Sequence, residues 1–214
     1  MQAIIFPPKA SKHLLFLMNT QTDFTNTIDF IAYIDQLKSV IRRNGLHDGS
    51  RAENTAEHSW HAAMSAQVLA PFANEPVDVD KVSRMLLIHD LVEIEAGDTF
   101  IYDEGSAALQ EEAELKAAEE VFGRIPAEQG QSLKALWEEF EARETPEAKF
   151  AKAIDRFLPL FSNARNTGYS WMPYKLSRKQ VVDRCWIIQE GSQKLWELTE
   201  KLLDESIKNG SLDP

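Results

Sequence analysis

The stretch Arg84–Asp98 reads RMLLIHDLVEIEAGD and constrains the chain more than any other. Its residues favour a helix and Gly97 supplies a natural stop, while its apolar side chains fall on almost every face, the pattern of a helix enclosed on all sides. His89, Asp90 and Glu93 lie inside it, and burying ionisable groups without partners costs several kcal/mol or forces them to neutralise. A divalent cation is the economical compensation. Successive helical residues diverge by about 100°, so His89 and Asp90 can grip one ion set to the side of the helix. Glu93, one turn after His89, faces the same cavity. Asp98 follows the stop, at the cavity mouth.

The remaining segments read as helices. Phe30, Ile34, Leu37 and Ile41 recur at helical spacing and predict an amphipathic helix over 27–42, after a lead-in at 1–24 without sustained period and before a loop at 44–50. Asn54 and Glu57 form a capping pattern for a helix running to about Pro71, with His58 in its first turns. The central helix is expected over about 79–96, followed by a loop at 97–105 and two partly solvated outer helices, Ser106–Phe122 and Ala127–Arg143. Thr145 precedes Pro146 and starts a helix that encloses Asp155 and is expected to bend there, because Pro159 cannot donate to the Asp155 carbonyl. Ser177 with Gln180 opens a helix to about 189, and Leu195–Ile207 closes the chain. No strand alternation or repeat is visible, so the expected fold is all-α, a single-domain helical bundle over 1–214 with its motif-bearing core at about 27–167 and C-terminal helices at about 177–207.

Composition narrows the partners. Acidic residues outnumber basic ones 34 to 23, a net charge of −11 that disfavours a nucleic acid polymer, although a small anion can bind where cations gather in one pocket. The single cysteine, Cys185, excludes an internal disulfide framework and a cysteine-rich zinc site and fits a reducing compartment, so the expected location is the cytoplasm. No signal peptide is visible at the start, and no apolar run approaches the roughly 18 residues of a membrane span, so no membrane partner is expected.

Taken singly, each charged residue has a plain structural reading: Asp155 can pair with Lys152 or Arg156, and His58 can be an ordinary core histidine. Together, His58, His89, Asp90 and Asp155 offer two imidazoles and two carboxylates without a thiolate, a set suited to one divalent transition metal ion: Mn²⁺, Co²⁺, Fe²⁺, Ni²⁺ or Zn²⁺.

The order His, His-Asp, Asp on separate helices resembles the HD-domain superfamily of metal-dependent phosphohydrolases. More narrowly, the segments RAENTAEHS at 51–59, HDLVE at 89–93 with Asp98, and FAKAID at 150–155 resemble the bacterial 5′-deoxynucleotidases. The resemblance implies His58, His89, Asp90 and Asp155 as ligands of the ion, Glu93 and Asp98 acting at the substrate, and Arg43 orienting the phosphate. It implies hydrolysis of (deoxy)nucleoside 5′-monophosphates to nucleoside and phosphate, and a homodimer. Where that family has a tryptophan beside the sugar, this chain has Asn44, whose amide can hydrogen-bond to a sugar hydroxyl. The expected substrate-binding set is Arg43, Asn44, His58, Glu93 and Asp98. The rival readings are an HD phosphohydrolase of another nucleotide or small phosphoester, and a non-catalytic metal- or nucleotide-binding module. Glu93 and Asp98 beside the four ligands argue against the module, because a structural ion needs neither.

Overall fold

The structure is a computed structural model that describes residues 12–98, 101–102 and 107–214, the side chains of 12–20 and 107–111 excepted. The lead-in at 1–11 and most of the expected loop at 97–105 lie outside these residues. The all-α expectation holds, with one small exception. Helix α1 spans Lys12–Ile34 and passes through a 3-10 turn, Asp35–Ser39, into strand β1, Ile41–Gly45. Strand β2, Ala52–Asn54, pairs antiparallel with β1, Ile41 opposite Asn54 and Gly45 opposite Ala52, with an irregularity between. The helical expectation for 27–42 is therefore corrected at both ends. The helix begins earlier, at Lys12, and its last residues become a hairpin.

The hairpin leads directly into α2, Thr55–Leu69. Its capping box is complete: the Asn54 side chain accepts from Glu57 N–H, and the Glu57 carboxylate accepts from Asn54 N–H. Helix α3, Val79–Ile88, and the short α4, Glu93–Ala96, replace the continuous helix expected over 79–96. Between them, the N–H groups of Leu91, Glu93 and Ile94 each bond three residues back. The His89 carbonyl instead accepts from the indole N–H of Trp137, at 3.1 Å. That tightening turns the chain at the His-Asp pair. Enclosure on all sides is also corrected, since Leu87 is 49% exposed and Arg84 faces solvent.

Helices α5, Ala107–Phe122, and α6, Ala127–Ala142, pack through Ala118, Val121, Phe122 and Trp137 against Leu37, Leu91 and Val92. The most enclosed helix is α7, Pro146–Arg165, started as expected by Thr145 accepting from Ala148 N–H and running as one element through Pro159. Phe150, Ala151, Ile154 and Leu160 on α7 anchor the larger core. Around them lie Ala62 and Ala66 of α2, Met85 and Leu86 of α3, and the C-terminal helices. These are α8, Trp171–Tyr174, α9, Arg178–Cys185, α10, Ile188–Gly191, and α11, Gln193–Lys208. Gly191 lets α10 approach α7 closely: a Cβ there would stand 2.3 Å from the Lys149 carbonyl oxygen. Among the described residues no helix is long and apolar enough to cross a membrane.

Candidate metal centre and cleft

Three elements deliver the cluster. His58 comes from the second turn of α2, His89 from the turn after α3, and Asp155 from the middle of α7. One ligand atom from each lies within 4.8 Å of the others, and all three residues are buried. Asp155 Oδ1 is the common point, 3.1 Å from His58 Nε2 and 3.5 Å from His89 Nε2.

The chemistry of His89 fits a cation. Its Nδ1 is 2.8 Å from the Leu86 carbonyl oxygen. A carbonyl can only accept, so the ring proton belongs on Nδ1 and Nε2 presents a lone pair. That Nε2 is buried without a hydrogen-bond partner, and carboxylate oxygens face it, Asp90 Oδ1 at 3.1 Å and Asp155 Oδ1 at 3.5 Å. Lone pairs facing one another require a proton or a metal ion between them. His58 follows the same plan, with Nε2 toward Asp155 and Nδ1 3.5 Å from the buried Glu53 carboxylate, the outer partner that orients a ligating imidazole. Asp90 stands beside this trio. One of its oxygens is near His89, and the other accepts from Arg42 Nη1 at 2.9 Å.

Charge is tightly balanced here. Burial opposes charge on His89, yet the Asp90 and Asp155 carboxylates outweigh it and push the imidazole up to about 10. Burial likewise opposes ionisation of Asp90 and Asp155. The neighbouring imidazoles, joined at Asp90 by Arg42, hold both well below the usual carboxylate range. Glu93 goes the other way: burial, then the Asp90 charge, raises it to about 9, with Thr55 Oγ1 donating to its Oε2 at 2.9 Å. Burial also raises Asp98, with Arg42 opposing.

A cleft enclosing about 460 Å³, counting the part open to solvent, reaches Asp155. It is lined by Arg42, Arg43, Asn44, Asp98, Arg156, Pro159 and Asn163, with Tyr102 and Cys185. Arg43 and Asn44 thus both line the cleft. Arg43 is exposed, bonded to the Tyr174 hydroxyl and 5.5 Å from that ring. Sequence reasoning missed three groups. Arg42 reaches Asp90 and lies 3.7 to 3.8 Å from Asp98, Glu93 and Glu53. Glu53 faces inward from β2. Arg156, next to Asp155, lines the cleft with a buried Nε that makes no hydrogen bond and lies 3.8 Å from Asp155 Oδ2. The strand period would have found Arg42, which shares the inward side of β1 with Asn44. Lys152, next to the motif residue Ala153, forms an ion pair with Glu141 and stacks on Phe140. His61, one turn after His58, meets His47 and Trp60 away from the cleft.

Comparison with known proteins gives a consistent result. The profile of the HD domain matches residues 34–196. The 5′-deoxynucleotidase HDDC2 of Homo sapiens is 28% identical over 130 residues, 60% of this chain. The match spans 62% of the human protein's length. Its Dictyostelium discoideum counterpart is 26% identical over 161 residues, 72% of this chain and 83% of that one. A crystal structure described as a predicted metal-dependent phosphohydrolase from Magnetospirillum magnetotacticum superposes with a TM-score of 0.85 at 45% identity, covering 90% of this chain and 96% of that one. A conserved hypothetical protein from Pyrococcus furiosus, at 23% identity and a TM-score of 0.59 over 82% of this chain and 98% of that one, shares the fold. With the profile spanning α2, α3, the turn after it and α7, and with the His, His-Asp, Asp order of that stretch, the chain belongs to the HD-domain family.

Proposed function

We propose that this chain is a metal-dependent phosphohydrolase that removes phosphate from (deoxy)nucleoside 5′-monophosphates. The observation that carries the reading is the meeting of His58, His89 and Asp155 at a cleft lined by three guanidinium groups in a chain of net charge −11. The names of the human and Dictyostelium relatives, both 5′-deoxynucleotidases, support the substrate class. His58, His89, Asp90 and Asp155 hold one divalent ion, among Mn²⁺, Co²⁺, Fe²⁺, Ni²⁺ and Zn²⁺. When bound, that ion supplies a Lewis acid for a phosphoryl oxygen and lowers the pKa of water.

The protein's own groups do the rest. Arg43 and Arg156 present planar donors to the phosphate oxygens, which suits an anion better than a point charge would. Arg42 keeps Asp90 ionised and turned toward the ion. Glu93, whose carboxyl is raised to about 9 in the metal-free protein by burial and then by the Asp90 charge, is the group we assign to pass a proton to the leaving 5′-oxygen, and Asp98 flanks it at the cleft wall. The homodimer and the cytoplasmic location remain part of the same proposal, and sedimentation tests the first.

The deciding experiment is phosphate release from a panel of mononucleotides by protein supplemented with each metal in turn and then stripped with a chelator. Release that needs the metal, and that falls about 10²- to 10⁴-fold in Glu93→Ala while zinc is still bound, fits these roles. Absence of release from every mononucleotide overturns the proposal, and unchanged turnover in Glu93→Ala removes Glu93 from it.

A further inference from the structure

Arg43 stands at the cleft against the period of its own strand. Exposure alternates along β1: Arg42 and Asn44 turn inward while Ile41 and Arg43 turn out. The strand alone would therefore aim Arg43 at solvent, yet Arg43 lines the cleft. Its partner there is Tyr174, 131 positions later, on α8. The phenol oxygen accepts from Arg43 Nη1, a sense fixed by the arginine having no acceptor to offer. The guanidinium carbon also lies 5.5 Å from the Tyr174 ring centroid, within the range of a cation–π contact. Two contacts of different kinds thus hold one group: the hydrogen bond sets its direction, and the ring sets its distance.

Tyr174 can do this because the segment that carries it is fastened both to the strand and to the core. Asn166 Nδ2 donates to the carbonyls of Gly45 and Leu46, at 3.2 and 3.0 Å. A Cβ on Gly45 would stand 2.5 Å from Tyr169 Cγ, so that ring packs directly on the end of β1. Trp171, 1% exposed, sinks α8 into the larger core. An arginine at a cleft rim otherwise keeps a large rotamer freedom that a bound phosphate must freeze out, and a supported side chain loses less of it. We infer that Tyr174 is a positioning residue for phosphate recognition: it holds the Arg43 fork at the cleft before the substrate arrives and so strengthens binding of the nucleotide's phosphate, without touching the reacting atoms. This rests on the phosphohydrolase reading above and adds to it a residue outside the His, His-Asp, Asp motif.

The test measures kcat and KM for one nucleoside 5′-monophosphate, with the inhibition constants of inorganic phosphate and of the product nucleoside. The proteins compared are the wild type, Tyr174→Phe, Tyr174→Ala, Arg43→Ala, and each Tyr174 change combined with Arg43→Ala. Tyr174→Phe keeps the ring and loses the hydrogen bond, so KM and the phosphate inhibition constant should rise together, about 3- to 10-fold. Tyr174→Ala loses the cation–π contact as well, which should add about 2- to 5-fold at an exposed site. In both variants the loss falls on KM rather than kcat, the nucleoside inhibition constant keeps its wild-type value, and neither change adds to the loss already present in Arg43→Ala. A wild-type KM in both Tyr174 variants overturns the inference. So does a loss that persists in full without Arg43 or that extends to the nucleoside, the mark of a general disturbance of α8. No phosphate from any mononucleotide overturns the parent reading and this one with it, whereas the other results leave the parent intact.

Discussion

Arg42→Met isolates the electrostatic design of the centre. The Arg42 side chain is 10% exposed, donates to Asp90 at 2.9 Å, and stands 3.7 to 3.8 Å from Asp98, Glu93 and Glu53. Burial opposes its charge, but the attraction of Asp90 and then of Glu93 and Asp98 more than restores it. Methionine preserves much of the stem and removes the charge, leaving the Asp90 carboxylate with His89 alone as its cationic partner among the described residues. Breaking such a pair costs about 3–5 kcal/mol, a large share of a total stability of roughly 5–15 kcal/mol. At about 2–4 °C per kcal/mol for a chain of this size, Tm in chelator should fall by about 6–20 °C. A divalent ion returns positive charge to the same carboxylates, so adding zinc should raise Tm more in Arg42→Met than in the wild type. Arg42→Lys, which keeps the charge and loses the fork, should fall between them. Thermal unfolding followed by circular dichroism, with chelator and with excess zinc, reads both quantities. A chelator Tm within about 2 °C of the wild type, or a zinc-induced rise no larger than the wild type's, refutes the reasoning.

The pH dependence of the metal-free protein follows from raised groups, chiefly Glu93 and His89, with Asp98 acting in the same sense. Glu93, raised to about 9, and His89, raised to about 10, keep protons in the folded state that the unfolded chain has released. Stability therefore declines with rising pH, from above about 4.5 for Glu93 and from above about 6.5 for His89. Asp90 and Asp155, held low, act oppositely and lose their contribution only as pH drops through the acid range. Tm measured in chelator from pH 5 to 9 should fall steadily, and a flat or rising curve contradicts the assignment. Thr55→Val removes the 2.9 Å hydrogen bond that favours ionised Glu93, so the pH–rate limb belonging to Glu93 should move to higher pH, and an unmoved limb separates Thr55 from that group. Gly191→Ala places a Cβ 2.3 Å from the Lys149 carbonyl oxygen and should cost about 1–3 kcal/mol, read as a lower urea midpoint; an unchanged midpoint means α10 can move off α7.

The parts of the fold legible in the sequence are those with local chemistry of their own. The Asn54 and Glu57 capping box and the Thr145-Pro146 start hold because each is closed by side chains within three residues. The meeting of His58, His89 and Asp155 was legible because buried His and Asp need partners wherever they lie. The hairpin was not, since Ile41–Gly45 carries two arginines and too few residues to show alternation, and its strand form depends on pairing with β2. The break after Ile88 has no glycine or proline to announce it; it depends on Trp137, distant in sequence, drawing off the His89 carbonyl. Helix α1 escaped notice because the Thr- and Asn-rich segment 19–27 favours helix weakly on its own. Arg42 was hidden for a related reason: which of the adjacent Arg42 and Arg43 faces inward is a matter of register, and register is set by tertiary pairing.

His58 and Asp155 touch across 97 positions of chain, with His89 between them in sequence. No fragment shorter than that span can assemble the cluster, and α2, α3 and α7 must all have docked before it closes. During refolding from urea, regained zinc affinity should therefore lag the return of helical signal, making the ion a reporter of the final docking event.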